Sequence, residues 1–337
     1  LCILGIVYVH AWTGLGGEEL SRANETTQGL LRWALIELLG RSSVPLLSII
    51  SGYLVVRSIS GRGMGAFLAG KARTILAPMV LWNAIAIVFV SGAAWLGLIY
   101  APVPNTWWWT IDELFCLASP DDINVQMPFL RDLFVCMVAA PLLIRLPGWA
   151  LAMLALVAVI WSISGYSFIL LLRPSILVFF ILGIAARRYD LAAWVASRPI
   201  VFVALAYAGF ALLQVWLETV GGDRGVNNPL LLSSIDLAMR FTTAMFFWSL
   251  AWRLANSRFA NLLLRLEPYV FLLFCSHLIM MWLGGPLIGK LTGPLGSPLY
   301  PVFLVMQPVL VLGATILLAR RLNALGAPAA RLLSGGR

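Results

Sequence analysis

The chain has 337 residues, of which 61% are hydrophobic and 11% charged, with a formal charge of +9 and a mean hydropathy of +0.94. A soluble domain carries roughly a quarter charged residues, so this composition excludes a soluble globular enzyme and calls for a polytopic membrane protein. The basic residues are scattered between apolar runs, with no basic face interleaved with aromatics, which excludes nucleic acid as a partner.

Crossing roughly 30 Å of hydrocarbon takes about 20 apolar residues. Ten segments meet or approach that requirement: 1–14, 43–56, 74–100, 129–145, 149–164, 167–186, 199–217, 231–252, 269–288 and 301–319. The second and fifth are short, and the second is extended by an amphipathic stretch, 30–41. The chain opens without Met inside a helix-like run, so further residues are expected upstream. With the N-terminus placed inside, alternation gives inner loops holding Arg57, Arg62, Lys71, Arg73, Arg145, Arg187, Arg188, Arg198, Arg253, Arg258 and Arg265. The outer loops hold Glu18, Glu19, Glu25, Asp112, Glu113, Asp121, Asp122, Glu218 and Asp223, with few cations, chiefly Arg22, Arg224 and Lys290. A Lys/Arg excess on one side marks the cytoplasmic face. The expected fold is therefore an all-α integral membrane protein of about ten transmembrane helices with both termini cytoplasmic. A single domain runs over 1–320, followed by a short basic tail, 321–337.

Three connections stand out. Residues 15–42 open on a polar, Gly-bearing loop, and 101–128 contain Trp107, Trp108 and Trp109 in succession. That triplet suits an interfacial anchor; its functional reading, with Trp108 foremost, is a stacking platform for a sugar ring. The inner stretch 57–73, RSISGRGMGAFLAGKAR, reads as a flexible basic loop. It satisfies the topology rule, and Lys71 and Arg73 would equally suit an anionic cytoplasmic ligand such as a nucleotide-bearing acyl donor.

Ionisable residues inside apolar spans are expensive and mark function or pairing. His10 lies towards the outer part of the first span, and His277 near the middle of the ninth. Glu37 and Arg41, and again Asp236 and Arg240, are spaced i, i+4 and can pair on one helix face. Arg131 and Asp132 stand at the outer end of the fourth span, while Arg173 interrupts the sixth about a turn and a half from its outer end. On this topology most of the charges share the outer half of the bilayer, as a polar cavity opening outward requires. Each pair also has a structural reading: a solvated interfacial pair at Glu37 and Arg41, an interhelix clamp at Asp236 and Arg240. A lone His in a helix is commonly a hydrogen-bonded packing residue.

No GxSxG, HExxH, Walker or GxGxxG motif is present. Two histidines are too few for a His-rich metal site, and no metal is expected. Cys2, Cys116, Cys136 and Cys275 show no CxxC pair; the first, third and fourth suit small apolar packing, while Cys116 lies outside a span.

The opening run ending in His10, VPLLSIISGYLV (44–55), the basic loop leading into KARTILAPMVLWN (71–83), PFLRDLFV (128–135) and YVFLLFCSH (269–277) together resemble the membrane acyltransferase-3 family. The resemblance runs in order over roughly 1–320. It implies a ten-helix bacterial inner-membrane enzyme that acylates extracytoplasmic glycans. The family signature in the first helix is an arginine, ten residues and a histidine; the histidine maps to His10 and the arginine falls upstream of Leu1. A second signature, Arg-x-x-Arg, is met partially by Lys71 and Arg73.

What the resemblance implies is an O-acyltransferase, transferring groups other than amino-acyl groups. It would move an acetyl or succinyl group from an acyl-CoA (acetyl-CoA or succinyl-CoA) co-substrate to a saccharide acceptor, with no bound cofactor. His10 is the expected general base, with Arg131 and Asp132 completing the catalytic set. Arg41, Glu37, Arg173, Arg240, His277 and Trp108 are the expected substrate contacts, and Lys71 and Arg73 the donor contacts. The lipid bilayer is the other partner, and self-association into a homo-oligomer is compatible with the sequence. The alternative is a proton-coupled secondary transporter or flippase of polysaccharide export, against which the lack of an internal repeat counts. A non-catalytic component of an export complex is a third reading.

Overall fold

A computed structural model describes residues 2–41, 43–59, 63–119, 121–217 and 228–336. The expected loop residues Arg62, Glu218, Asp223 and Arg224 lie outside the described residues. In chain order the helices are α1 (Cys2–Val9), α2 (Gly17–Asn24), α3 (Thr27–Leu35), α4 (Ser43–Ile59), α5 (Met64–Trp95), α6 (Trp107–Phe115), α7 (Pro128–Leu143) and α8 (Gly148–Ser164). They continue with α9 (Ser175–Arg188), α10 (Leu191–Ser197), α11 (Ile200–Trp216), α12 (Pro229–Ala255), α13 (Ala260–Thr292), α14 (Tyr300–Leu325) and α15 (Ala327–Leu333). Among the described residues the only β feature is an isolated bridge between Phe168 and Leu171.

Helix starts follow local chemistry. The Asn228 side chain accepts the backbone N–H of Leu230 at 3.0 Å, with Pro229 as the first helical residue of α12. Thr26 and Thr106 cap α3 and α6 in the same way, accepting from Gly29 and Trp109. Pro199 separates α10 from α11, which meet at 96°. Single π-turns interrupt the helical path at Ile36–Gly40, Ala72–Leu76 and Ile87–Ser91.

Against the ten spans expected, five helical stretches among the described residues are long and apolar enough to cross a membrane: Thr27–Ile59, Met64–Trp95, Pro229–Ala255, Ala260–Thr292 and Tyr300–Ala324. The bent pair α10–α11 makes a sixth if taken as one span. The chain is thus a multi-pass membrane protein.

Three expectations change. The basic stretch expected to be a flexible loop to residue 73 is helical from Met64, because Met, Ala, Leu and a buried Phe67 outweigh its glycines. The sixth span starts as helix only at Ser175: Pro174 sets the first turn and holds Arg173 outside it. Arg173 therefore sits at a helix entrance and not within a helix. Similarly, α1 ends at Val9, so His10 follows the helix.

The described chain divides into two compact units. The first comprises Leu1–Arg41, Lys71–Arg131 and Leu264–Arg337. Its centre is α13, about 50 Å long at 1.5 Å per residue, whose residues 272–279 are all buried. The second comprises Ser42–Gly70 and Asp132–Leu263. There α4 and α9 touch backbone to backbone: a Cβ on Gly52 would strike the Phe180 carbonyl, and one on Gly183 the Ile49 carbonyl. Small residues at such crossings allow the close packing on which helix association in lipid depends.

Candidate functional site

The first unit builds its site around the turn that follows α1. The N–H groups of His10 and Ala11 close tight turns onto Val7 and Tyr8, both at 3.2 Å. Trp12 then leaves the helical path. Its N–H donates to the Gln307 side-chain oxygen at 3.2 Å, and its carbonyl accepts the Tyr300 hydroxyl at 2.9 Å. The indole packs near Phe303, with ring centroids 6.1 Å apart, and lies in a slot made by Gly285 and Gly289, one turn apart on α13. A Cβ at either glycine would overlap the indole. Gly14, at φ +69°, takes the left-handed turn that returns the chain past the same ring. Two backbone bonds and a glycine slot thus fix Trp12, and through it the position of His10 two residues earlier.

Behind His10 stands His277. The two imidazole centroids are 5.4 Å apart, with planes inclined at 40°. His277 is fully buried, and its Nδ1 lies 2.8 Å from the Phe274 carbonyl and 3.2 Å from that of Leu273.

His10 faces a cleft of about 740 Å³, lined also by Trp12, Tyr100, Asp122, Ile123, Met281 and Trp282. The wall opposite the histidine turn is the segment after α6, held from behind by buried carboxylates. Glu113 accepts the N–H groups of Asp122 and Ile123, both at 2.8 Å, and of Asn124 at 3.4 Å. Asp112 accepts those of Leu117 and Ala118 at 2.9 and 2.8 Å, together with the Ser119 hydroxyl. Asn83 on α5 donates to Asp121 at 2.9 Å and accepts from Asn124 at 3.0 Å, while Trp282 donates to the Ile123 carbonyl at 3.1 Å. A carboxylate that satisfies several backbone donors substitutes for secondary structure, so the wall is rigid without being helical.

The electrostatics of this wall are uneven. Burial works against the Asp112 anion, but the Ser119 hydroxyl and the amides of residues 117–119 outweigh it and lower its pKa. Burial raises Glu113 despite its amide bonds. For Asp121, burial and then the charge of Glu113 push the carboxyl from 3.8 to about 9, so it is protonated at neutral pH. The Cys116 thiol is pushed up by burial and by Asp121. A test follows. The folded state holds the Asp121 proton more tightly than the unfolded chain, so its contribution is complete below 3.8 and is lost as pH rises towards about 9. Asp121→Asn fixes the neutral form. The thermal midpoint of the variant relative to the parent is expected to rise steadily between pH 5 and pH 9; a constant difference would exclude a protonated Asp121.

The other expected site residues are distributed between the units. In the first, Arg41 and Glu37 pair at 2.9 Å across the first π-turn, but Glu37 is only 4% exposed. The pair is not the solvated one expected, because the π-turn and α1 enclose the carboxylate: Gly5 packs on the Leu39 carbonyl and Gly40 on Val9. Lys71 and Arg73 lie at the second π-turn, Arg73 exposed. Trp108 is 59% exposed, and its neighbour Trp109 donates to Asp122 of the cleft wall at 2.7 Å. Arg131 belongs to the first unit. In the second, Asp132 is fully buried and accepts the backbone N–H groups of Leu172 and Arg173 at 3.2 and 2.7 Å. Asp132 thereby holds the turn that presents Arg173. Asp236 and Arg240 form their i, i+4 pair at 2.7 Å. No group of three or more His, Cys, Asp or Glu among the described residues is arranged to hold a metal ion.

The sequence reading missed Gln307, Asn83, Glu113 and the Gly285–Gly289 slot as parts of the site. A signal existed only for the slot, since glycines four apart on an apolar helix mark close approach by a partner.

Compared with known proteins, the chain matches the family model described as "Acyltransferase domain" (Acyl_transf_3) over residues 1–319. It is 30% identical over 351 aligned residues to the succinoglycan biosynthesis protein ExoH of Rhizobium meliloti (strain 1021), an alignment covering 96% of this chain and 87% of that protein. No solved structure matches it.

Proposed function

The chain belongs to this acyltransferase family, and from that premise we propose that it moves an acetyl or succinyl group from an acyl-CoA to a hydroxyl of an extracytoplasmic polysaccharide or glycolipid saccharide, with His10 as general base. The observation that carries the proposal is the placement of His10 at the wall of a cleft shared with Trp12, Tyr100, Trp282 and Asp122. Aromatic faces suit the C–H face of a sugar ring, a carboxylate suits its hydroxyls, and an imidazole suits the proton transfer.

A sugar hydroxyl is a poor nucleophile at neutral pH. His10 takes its proton as the oxygen attacks the thioester carbonyl; the new C–O bond forms, the C–S bond breaks, and His10 returns the proton to the departing thiolate. Arg131, Arg173 and Arg41, with Glu37 holding the last, would stabilise charge on the carbonyl oxygen or hold a carboxylated acyl group. Asp132 serves by fixing Arg173. Arg240 and Trp108 complete the proposed contacts. An acyltransferase has no need of the proton-coupled transport considered as the alternative.

In this reading the chain crosses the bacterial inner membrane ten times over 1–320, keeps both termini and the basic tail at 321–337 in the cytoplasm, and turns Lys71 and Arg73 to that side; the Lys/Arg bias of the loops supports it. These two cations would receive the phosphates of the donor. Lys71→Ala with Arg73→Ala is expected to raise the KM for acyl-CoA about a hundredfold, the value of two lost charge-assisted contacts, leaving the acceptor KM in place. An unchanged donor KM would remove these residues from the donor site. The proposal as a whole is tested by mass spectrometry of surface glycans from cells with and without the gene. Loss of an acyl ester is expected; identical glycans would overturn it.

A further inference from the structure

We propose that His277 is a positioning residue for His10: its Nε2 receives the ring N–H of His10 on the side away from the cleft. This fixes the His10 tautomer whose lone pair faces the acceptor hydroxyl. The inference rests on the reading of His10 as the base.

The argument begins with the hydrogen bonds of His277. Its Nδ1 lies against two carbonyl oxygens of its own helix, those of Phe274 and Leu273. Carbonyl oxygens only accept, so Nδ1 carries a proton. An imidazolium in a dry helix core is expensive, which leaves the neutral ring with Nε2 as a pure acceptor. That atom is buried and has no hydrogen-bond partner among the described residues. An orphaned acceptor at such depth costs about 1–3 kcal/mol, which calls for a donor.

The neighbouring polar ring is His10, 5.4 Å away between centroids and tilted by 40°. At this separation the two rings are neighbours, close enough for rotation of the His10 ring to bring one of its nitrogens towards Nε2. Hydrogen bonds in unloaded active sites are often long and tighten when substrate binds. The two residues are held by separate devices: His277 by its own helix carbonyls, His10 by the Trp12 anchor. His277 is excluded from the cleft lining, so it acts through His10 and not on substrate.

The test compares His277→Asn with His277→Gln in the full-length protein reconstituted in liposomes, with acyl-CoA and an acceptor oligosaccharide. Asn can restore a donor near Nδ1 but places nothing at Nε2. Gln places a carbonyl oxygen near Nε2. The Asn variant is expected to lose about tenfold to a hundredfold in kcat, the cost typical of losing the group that orients a functional imidazole, with both KM values unchanged. The Gln variant is expected to recover most of that loss. Equal activity in the two variants, or losses in both that merely track the amount of folded protein, would overturn the inference. His10→Ala is assayed alongside. If it stays active, the base assignment falls and this inference with it; if it is inactive while Asn and Gln behave alike, only the role of His277 falls.

Discussion

His10→Ala is expected to lower acyl transfer by about 10²–10⁴-fold, the range that a general base contributes, while leaving the protein folded in the membrane. The separation of activity from folding follows from the geometry. His10 lies beyond the end of α1, lining the cleft, and its side chain is not the bond that closes the turn; the backbone bonds to Val7 and the Trp12 anchor do that. Truncation at the β-carbon therefore removes a titratable ring without opening the helix. The measurement is transfer of labelled acyl groups from acyl-CoA to an acceptor saccharide by purified protein in liposomes, with the thermal midpoint recorded on the same preparation. Near-normal transfer would end the base assignment. A collapse of the midpoint would instead make His10 a structural residue. His10→Gln refines the result: its amide can hydrogen-bond a hydroxyl but cannot carry the proton, so it should be as inactive as Ala.

The sequence made the helices legible and left the site largely hidden, for one physical reason. Hydropathy reports the length and apolarity of a segment, so α8, α11 and α12 fall within a few residues of their expected limits. It does not report which segment lies beside which. His10 and His277 each stood out as a titratable residue in an apolar run, yet they are separated by most of the chain and nothing local joins them. Glu113 was visible only as an outer-loop charge. Its value lies in the three backbone donors it satisfies, a matter of loop geometry without a periodic pattern. The i, i+4 pairs were legible because a helix fixes their spacing, whereas the burial of Glu37 depends on the close approach of α1 to the first π-turn. Arg173 stands at a helix entrance because Pro174 opens the helix, a start signal that the apolarity of the surrounding run masks.

The glycine slot carries the second large effect. Gly289→Ala adds one methyl group at the point where the Trp12 indole rests on α13. In most settings a displaced side chain swings aside cheaply. Here it cannot: the indole is bounded by Phe303 and Gly285, and the Trp12 backbone is bonded at both its N–H and its carbonyl. Overpacking of this kind costs about 1–3 kcal/mol, and relief requires the His10–Gly14 turn to move as a piece. A shift of about 1 Å in a catalytic group can cost 10²-fold in rate, so kcat is expected to fall by about that factor while α13 itself remains helical. Trp12→Phe supplies the control, because the smaller ring vacates the space into which the methyl group intrudes. Adding Gly289→Ala to Trp12→Phe should cost far less than adding it to the parent. That non-additivity in a double-mutant cycle identifies direct contact as the cause. A Gly289→Ala variant with parental kcat would show that the turn tolerates displacement. Equal costs in the two backgrounds would place the effect in α13 and not in the support of His10.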